Sequence, residues 1–306
     1  MENSSSIEVF YLSGLNKSPE NQHVYFPLTL LLYIVIIFVN LRLISIILLE
    51  KTLHEPMYLL LCNLCFNGLY GTAGFYPKFL SDLLSDSNVI SHHGCFLQVF
   101  VLYSSVKCDF ATLTAMAYDR YVAICKPLVY HSVMTDQMVF KLIAFCWIFP
   151  YFTSTVVIIL SSTLPLCGSH IDKLYCENWA IVKLSCKTTT LNDVTGYIVT
   201  FVYLGFAFFI IFSYLKLIAA CTKSKEDRLK FTKTCLPHLL AVINFTIAIV
   251  FDLMYSRYGS TNIPHGLRNF FAVQFLIIPP IFNPVIYGLK MTEVRKRLLK
   301  QCHYLK

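Results

Sequence analysis

The chain has 306 residues, of which 56% are hydrophobic and 14% are charged, and its formal net charge is +8. So much apolar surface with so little charge excludes a soluble globular domain and indicates a protein that crosses a membrane several times. The basic residues fall in short segments between apolar runs, so the positive charge indicates membrane topology and not a nucleic-acid-binding patch.

The amino-terminal segment, residues 1–24, is predicted to be extracellular. It is polar and contains no cleavable signal, so we expect the first span to target the chain as well. Two glycosylation sequons begin at Asn3 and Asn16, and they are usable only if this end is lumenal.

Seven runs of about twenty mostly uncharged residues follow, each long enough for a helix to cross the hydrocarbon core. The connections on one side of the membrane hold sixteen Lys and Arg residues and those on the other side hold seven, which predicts an extracellular amino terminus and a cytoplasmic tail. The predicted fold is an all-α membrane protein in one domain, residues 1–306: a seven-transmembrane helix bundle with a short amphipathic eighth helix in the tail, residues 290–306. The spans lie near residues 25–49, 57–80, 95–122, 140–162, 194–218, 233–255 and 269–289.

Two ionisable residues, Lys107 and Asp109, lie within the third span, and such residues at membrane depth are functional candidates by default. At about 100° per residue their side chains point some 200° apart, so they should serve different sites. Asp109 shares a face with Arg120 and is predicted to look into the polar interior, where Asn40 can also hydrogen-bond. Lys107 shares a stripe with Tyr103 nearer the outer mouth, where it either pairs with an interior acid or carbonyl or contacts a ligand.

Four cysteines, at positions 95, 167, 176 and 186, are predicted to face an oxidising compartment, and three pairings among them are possible. Cys62 and Cys65 form a CxxC pattern inside an apolar run, which favours buried thiols over a metal site. No metal site, nucleotide loop or nucleophile constellation rises above chance, so we expect neither a cofactor nor an enzyme.

The third span ends in the string Met116–Cys125, which places Asp119 and Arg120 at the rim of the membrane. A charge at the bilayer centre costs at least a few kcal/mol, so the two residues are expected to neutralise each other at the inner interface. An arginine freed from its aspartate presents a planar fork of five donors to a docking partner.

Several strings spread over the chain closely resemble the odorant receptor family of rhodopsin-like G-protein-coupled receptors. They are Leu53–Tyr58, Met116–Cys125, Ser213–Tyr214, Lys233–Leu239 and Asn283–Tyr287. The run 68–77 resembles the aquatic-vertebrate branch and hints at water-soluble odorants. The chain departs from the pattern at Gly68, where such receptors usually have an aspartate. The resemblance therefore does not imply a sodium site of the usual design, although Asp109 matches the family's third-helix acid and could supply the charge.

The resemblance implies a receptor for a small, polar or water-soluble odorant that activates a stimulatory, olfactory-type heterotrimeric G protein and raises cAMP, in the cilia of olfactory sensory neurons. It implies the disulfides Cys95–Cys176 and Cys167–Cys186, and Trp147 as a core residue of the fourth helix. The residues implied in activation are Asp119, Arg120, Tyr121, Tyr214, His238, Asn283, Pro284 and Tyr287. Helical spacing and the resemblance give as pocket candidates Leu102, Tyr103, Val106, Lys107, Val202, Ile249, Val250, Leu253 and Arg257.

Other classes of membrane protein fit the sequence less well. A non-olfactory rhodopsin-like receptor for another small molecule is the first alternative, but an amine receptor would need an acid where Leu102 stands. A transporter would bring midplane charges and internal repeats, and usually more spans.

Overall fold

The computed structural model describes residues 7–13, 19–221, 239, 242–243, 246–247, 250–251 and 265–290. Within these residues the long elements are helices, and the predicted all-α class is confirmed. Asn3, Asn16 and the predicted amphipathic helix of the tail lie outside the described residues. The long helices are α1 (Pro19–Leu49), α2 (Pro56–Leu84), α3 (His92–Cys125), α5 (Asp136–Ser162), α7 (Thr190–Cys221) and α8 (His265–Lys290).

Two short helices, α4 (Tyr130–Val133) and α6 (Asn178–Val182), lie in the connections between long helices. The described residues between 239 and 251 are helical and belong to the sixth predicted span. Among the residues that the structure describes, four stretches are long and apolar enough to cross a membrane: Gln22–Leu49, His92–Cys125, Asp136–Ser162 and Thr190–Ala219. The 29 residues of α2 are also sufficient in length, although that helix carries more polar side chains.

Local signals in the sequence determine where the helices begin. Pro56 occupies the first turn of α2, where its missing N–H would be unsatisfied in any case. The side chains of Ser91 and Thr135 accept hydrogen bonds from backbone amides in the first turns of α3 and α5, at 3.1 and 3.3 Å.

The bundle is apolar outside and partly polar inside, which is the arrangement expected in lipid. Phe38 and Phe208 are 63% and 70% exposed on the surface, whereas Asp109 and Thr112 of α3 are buried. α3 packs against α2, α5 and α7, while α8 packs against α1 and α2. Among the described elements α3 therefore packs closely against three other long helices, and its buried polar side chains include Asp109 and Thr112.

A small three-stranded sheet and two disulfides lie at one end of the bundle, which we call the outer end; the end that holds Arg120 is the inner end. The strands are β1 (Val9–Leu12), β2 (Val89–Ser91) and β3 (His170–Ile171), in the order β2-β1-β3. β1 pairs with β2 antiparallel and with β3 parallel. The disulfides join Cys95 to Cys176 and Cys167 to Cys186, the pairing that the resemblance implies.

The long connection between α5 and α7 reaches down into the bundle. Leu174 and Tyr175 are buried within the main hydrophobic core. Gln98 of α3 accepts a hydrogen bond from the Cys176 amide at 2.9 Å and donates to the Gly74 carbonyl of α2 at 3.0 Å. Gln98 thus joins the connection to two helices, a role that its position in the sequence gave no signal for.

Candidate functional site

Lys107 lies at the junction of α3, α5 and α7, in the outer half of the bundle. Its side chain is buried, and its ammonium donates a hydrogen bond to the Ser154 hydroxyl at 3.1 Å. The same nitrogen lies 5.9 Å from the centre of the Tyr203 ring, within the range of a cation–π contact. The Tyr203 hydroxyl in turn lies 3.3 Å from the Thr153 hydroxyl. We call Lys107, Ser154, Thr153 and Tyr203 the Lys107 cluster.

The partner of Lys107 differs from the acid or carbonyl that the sequence offered as one alternative. It is a hydroxyl, and within the described part of the chain Lys107 makes no ion pair. An ammonium has three donors, so donors remain for another acceptor.

The other predicted pocket residues fall into three groups. Leu102, Tyr103 and Val106 lie on α3 near Lys107; Leu102 is fully buried and Val106 packs against the main core. Val202 and Val250 are each 39% exposed. Tyr203, the neighbour of Val202, faces Lys107, and one residue of helix rotates a side chain by about 100°, so Val202 points to a different side of α7. Its place in a ligand pocket stays a prediction. Ile249, Leu253 and Arg257 lie outside the described residues.

Asp109 faces the interior, away from the Lys107 cluster. The Asn67 amide donates to its carboxylate at 2.7 Å and to the Ser105 carbonyl at 2.8 Å. Asn67 stands one position before Gly68, so the polar group that meets the third-helix acid comes from the neighbouring position on α2. Whether Asp109 also holds an ion stays a prediction.

Asn40 joins α1 to α8. Its amide donates to the Pro280 carbonyl at 2.7 Å and to the Ile36 carbonyl at 2.8 Å. A Cβ on Gly68 would lie 3.5 Å from the Asn40 side-chain oxygen and 3.6 Å from the Pro280 Cβ. The small residue on α2 therefore lets α1 and α8 approach closely, and Asn40 satisfies a carbonyl in a helix interrupted by prolines.

Trp147 takes part in a polar contact that joins three helices. Its indole N–H donates to the Asn63 side-chain oxygen at 2.7 Å, and the Asn63 amide donates to the Thr112 hydroxyl at 2.9 Å. α5, α2 and α3 are linked through these side chains. The fourth predicted span is thereby fixed at mid-depth against the two helices that carry Asn67 and Asp109.

At the inner end, Asp119 is fully buried and both its oxygens are engaged. Arg120 donates to one oxygen through Nε at 2.9 Å and through Nη2 at 2.5 Å. The hydroxyl of Tyr130, in α4, donates to the other oxygen at 2.8 Å. Burial, and then the nearby Asp119 carboxylate, raise the pKa of Tyr130 above its ordinary value, so its phenol remains a donor at neutral pH.

We call Asp119, Arg120 and Tyr130 the inner lock. The sequence predicted the Asp119–Arg120 pair but not Tyr130, because the loop that carries Tyr130 has no periodicity from which its direction could be read. Breaking the pair would release the Arg120 fork at the inner surface of the bundle, where a docking partner could accept its hydrogen bonds.

The other residues predicted to act in activation lie on α3, α7 and α8. Tyr121 lies at the inner end of α3, with the Lys126 ammonium 6.0 Å from its ring centre. Tyr214, Asn283 and Pro284 are buried. Tyr287 lies in α8, but its side chain and all of His238 lie outside what the structure describes.

Comparisons with known proteins cover nearly the whole chain. A family model described as olfactory receptor matches residues 29–303. Olfactory receptor 13D1 of Homo sapiens is 34% identical over an alignment that covers 99% of this chain and 89% of that protein. Olfactory receptor 2C3 of Homo sapiens is 35% identical over 97% of this chain and 93% of its own. Olfactory receptor 1D2 of Pongo pygmaeus is 32% identical, with 97% and 95% covered.

Proposed function

This chain belongs to the olfactory receptor family, and we propose that it recognises a small acidic or strongly hydrogen-bond-accepting odorant beside the Lys107 amine. Members of the family are multi-pass membrane receptors that bind small molecules and act through heterotrimeric G proteins, and they are not enzymes. The proposal concerns the chemistry of the ligand and the route by which its binding is signalled.

The observation that supports this ligand class is the buried Lys107 amine, which has no acidic partner among the described residues. Lys107 is 8% exposed and donates to the neutral Ser154 hydroxyl. An unpaired buried charge is costly, and an opposite charge brought within a few ångströms lowers that cost. Within the residues that the structure describes no protein carboxylate supplies this charge, so an acidic ligand gains affinity by supplying it. Arg257, predicted near the same mouth, would add a second cation.

The inner lock supports the proposed route of signalling. A ligand acts only through its differential affinity for two arrangements of the bundle. In our proposal the occupied receptor favours an arrangement with the sixth helix displaced outward, in which Arg120 leaves Asp119 and contacts a stimulatory, olfactory-type α subunit. cAMP then rises. The amino terminus is extracellular and the tail cytoplasmic, in the plasma membrane of olfactory cilia.

A matched ligand series tests the role of Lys107. A carboxylic acid, its methyl ester, the corresponding alcohol and the parent hydrocarbon are applied to cells that express the receptor and a cAMP reporter. We expect the acid to be the best agonist and the hydrocarbon the weakest. In Lys107→Gln the acid should lose about tenfold to a hundredfold in potency, since a hydrogen bond to a charged group contributes about 1.5–3 kcal/mol.

Lys78→Gln is the matched control, because Lys78 is an outer-end lysine that is already paired with Asp82 on its own helix. It should leave the ranking of the four compounds unchanged. Surface receptor is quantified for every variant. The proposed ligand class would be refuted if only apolar hydrocarbons acted as agonists. It would also be refuted if the potency of the acid were unchanged in well-expressed Lys107→Gln. A response without cAMP would refute the proposed G protein and leave the ligand class standing.

A further inference from the structure

Two adjoining hydrophobic depressions lie on the membrane-facing side of the bundle, near the inner end of α5. The first, the lipid-facing groove, has a volume of about 450 Å³ and runs along α5 alone. The second, the three-helix crevice, has a volume of about 270 Å³ and opens between α3, α5 and α7. Phe145 lines both, so the two depressions meet at one aromatic side chain.

The groove has one charged group, and that group lies at its inner end. The lining residues are Phe140, Lys141, Ala144, Phe145, Ile148, Phe149 and Phe152. At 3.6 residues per turn Lys141, Phe145, Ile148 and Phe152 fall on one stripe of the helix. Eleven residues separate Lys141 from Phe152, or roughly 16 Å at 1.5 Å per residue. This length matches half of a hydrocarbon core that is about 30 Å thick.

Lys141 is exposed and makes no ion pair within the part of the chain that the structure describes. Asp136, the acid in the first turn of α5, lies about 140° around the helix from Lys141 and so points away from the groove. An anion at the inner interface would therefore meet an unopposed ammonium.

The crevice extends toward the inner lock. Its α3 side is formed by Ala111, Thr114, Ala115 and Tyr118, and Tyr118 directly precedes Asp119. The two alanines leave space between helices, and Phe206 and Phe209 of α7 form another side. The lining is apolar except for the hydroxyls of Thr114 and Tyr118 and the thiol of Cys146. Such a lining suits a hydrocarbon chain and not a polar molecule.

We propose that these two depressions bind one anionic phospholipid with two acyl chains, with its headgroup on Lys141 and one chain on each side of Phe145. Two features select this occupant over a sterol or a neutral lipid. The cation lies at the membrane interface, where anionic headgroups concentrate. Phe145 lies one turn above that cation and lines both apolar depressions, so each depression is placed to take one chain. Because the crevice lies beside Tyr118 and α7, the bound lipid stabilises the packing of α3 on α7 next to the inner lock.

Native mass spectrometry of the purified receptor tests the headgroup contact. The receptor is taken from nanodiscs that contain equal amounts of phosphatidylserine and phosphatidylcholine, and the lipids that stay bound are counted. Wild type should retain phosphatidylserine preferentially. Lys141→Gln should reduce the retained phosphatidylserine about fivefold, since one basic residue near an anionic surface contributes about 1 kcal/mol.

Lys216→Gln is the matched control. Lys216 is an exposed lysine near the inner end of α7, 5.4 Å from the centre of the Phe212 ring, and it lines neither depression. This variant should retain phosphatidylserine as wild type does. The proposed site would be overturned if both variants lost the same amount of retained phosphatidylserine. It would also be overturned if Lys141→Gln lost none.

A second variant tests the arrangement with two chains. Ala115→Leu partly fills the crevice without touching the groove. It should reduce the preference for phosphatidylserine over its single-chain lyso form, while Lys141 still selects the anionic headgroup. An unchanged preference between the two forms would show that the crevice holds no chain and would overturn the proposal of a lipid around Phe145.

Discussion

Asp119→Asn should raise signalling by the unliganded receptor. In the structure Arg120 donates two N–H groups to one Asp119 oxygen, at 2.9 and 2.5 Å, and the arginine side chain is 19% exposed. Hydrogen bonds to charged groups contribute about 1.5–3 kcal/mol. Because the guanidinium is partly hydrated, we take a net loss of about 2 kcal/mol for the pair. The asparagine amide oxygen can still accept from Tyr130, so the substitution acts mainly on Arg120.

The loss of about 2 kcal/mol converts to roughly a 30-fold change in the equilibrium between the resting and signalling arrangements. If about 1% of unliganded receptors signal, within the range for a minor conformer, the mutant fraction becomes roughly a fifth. The measurement is ligand-free cAMP, divided by surface receptor. Asp82→Asn, which breaks the Lys78–Asp82 pair at the outer end, serves as the control and should not change it. Basal cAMP within twofold of wild type in well-expressed Asp119→Asn would show that the ion pair does not hold the resting arrangement.

Three further predictions concern Arg120, Gly71 and Tyr130. Arg120→Ala should keep normal surface expression but abolish the cAMP response to agonist; a normal response would remove the role given to this arginine. Gly71→Ala should lower the yield of folded receptor, because its Cβ would overlap the Ser105 hydroxyl oxygen. Gly68→Ala, whose nearest contact is 3.5 Å, should not lower the yield, and equal yields would contradict this reasoning. Tyr130→Phe should lower the midpoint temperature of thermal unfolding, because the buried Asp119 carboxylate loses a hydrogen-bond donor. The midpoint is measured by fluorescence-detected size exclusion, and an unchanged value would count against the inner lock.

The sequence predicted the features that depend on composition and local spacing. Long apolar runs predicted the helices because a membrane-spanning segment must satisfy its backbone internally. The adjacency of Asp119 and Arg120 made their contact foreseeable. Lys107 and Asp109 could be separated into two sites because an angle of about 200° follows directly from helix geometry.

What the sequence could not give depends on how separate helices are rotated and stacked. The partner of Lys107 is Ser154, on another helix, and no local pattern specifies that register. Tyr203, whose ring centre lies 5.9 Å from the Lys107 nitrogen, was not among the predicted pocket residues, because the rotation of α7 about its axis has no signature in its sequence. Gln98 acts through a loop amide and a carbonyl, and neither contact has a sequence signature.

The order of strands in the outer sheet has a consequence for how the receptor is made. β1 leaves the ribosome before the other two strands, yet it is the central strand and pairs with β3 about 160 residues later. The sheet therefore cannot be completed until the segment before α7 has been synthesised. β2 can pair with β1 much earlier, so until then the edge of β1 that receives β3 stays open.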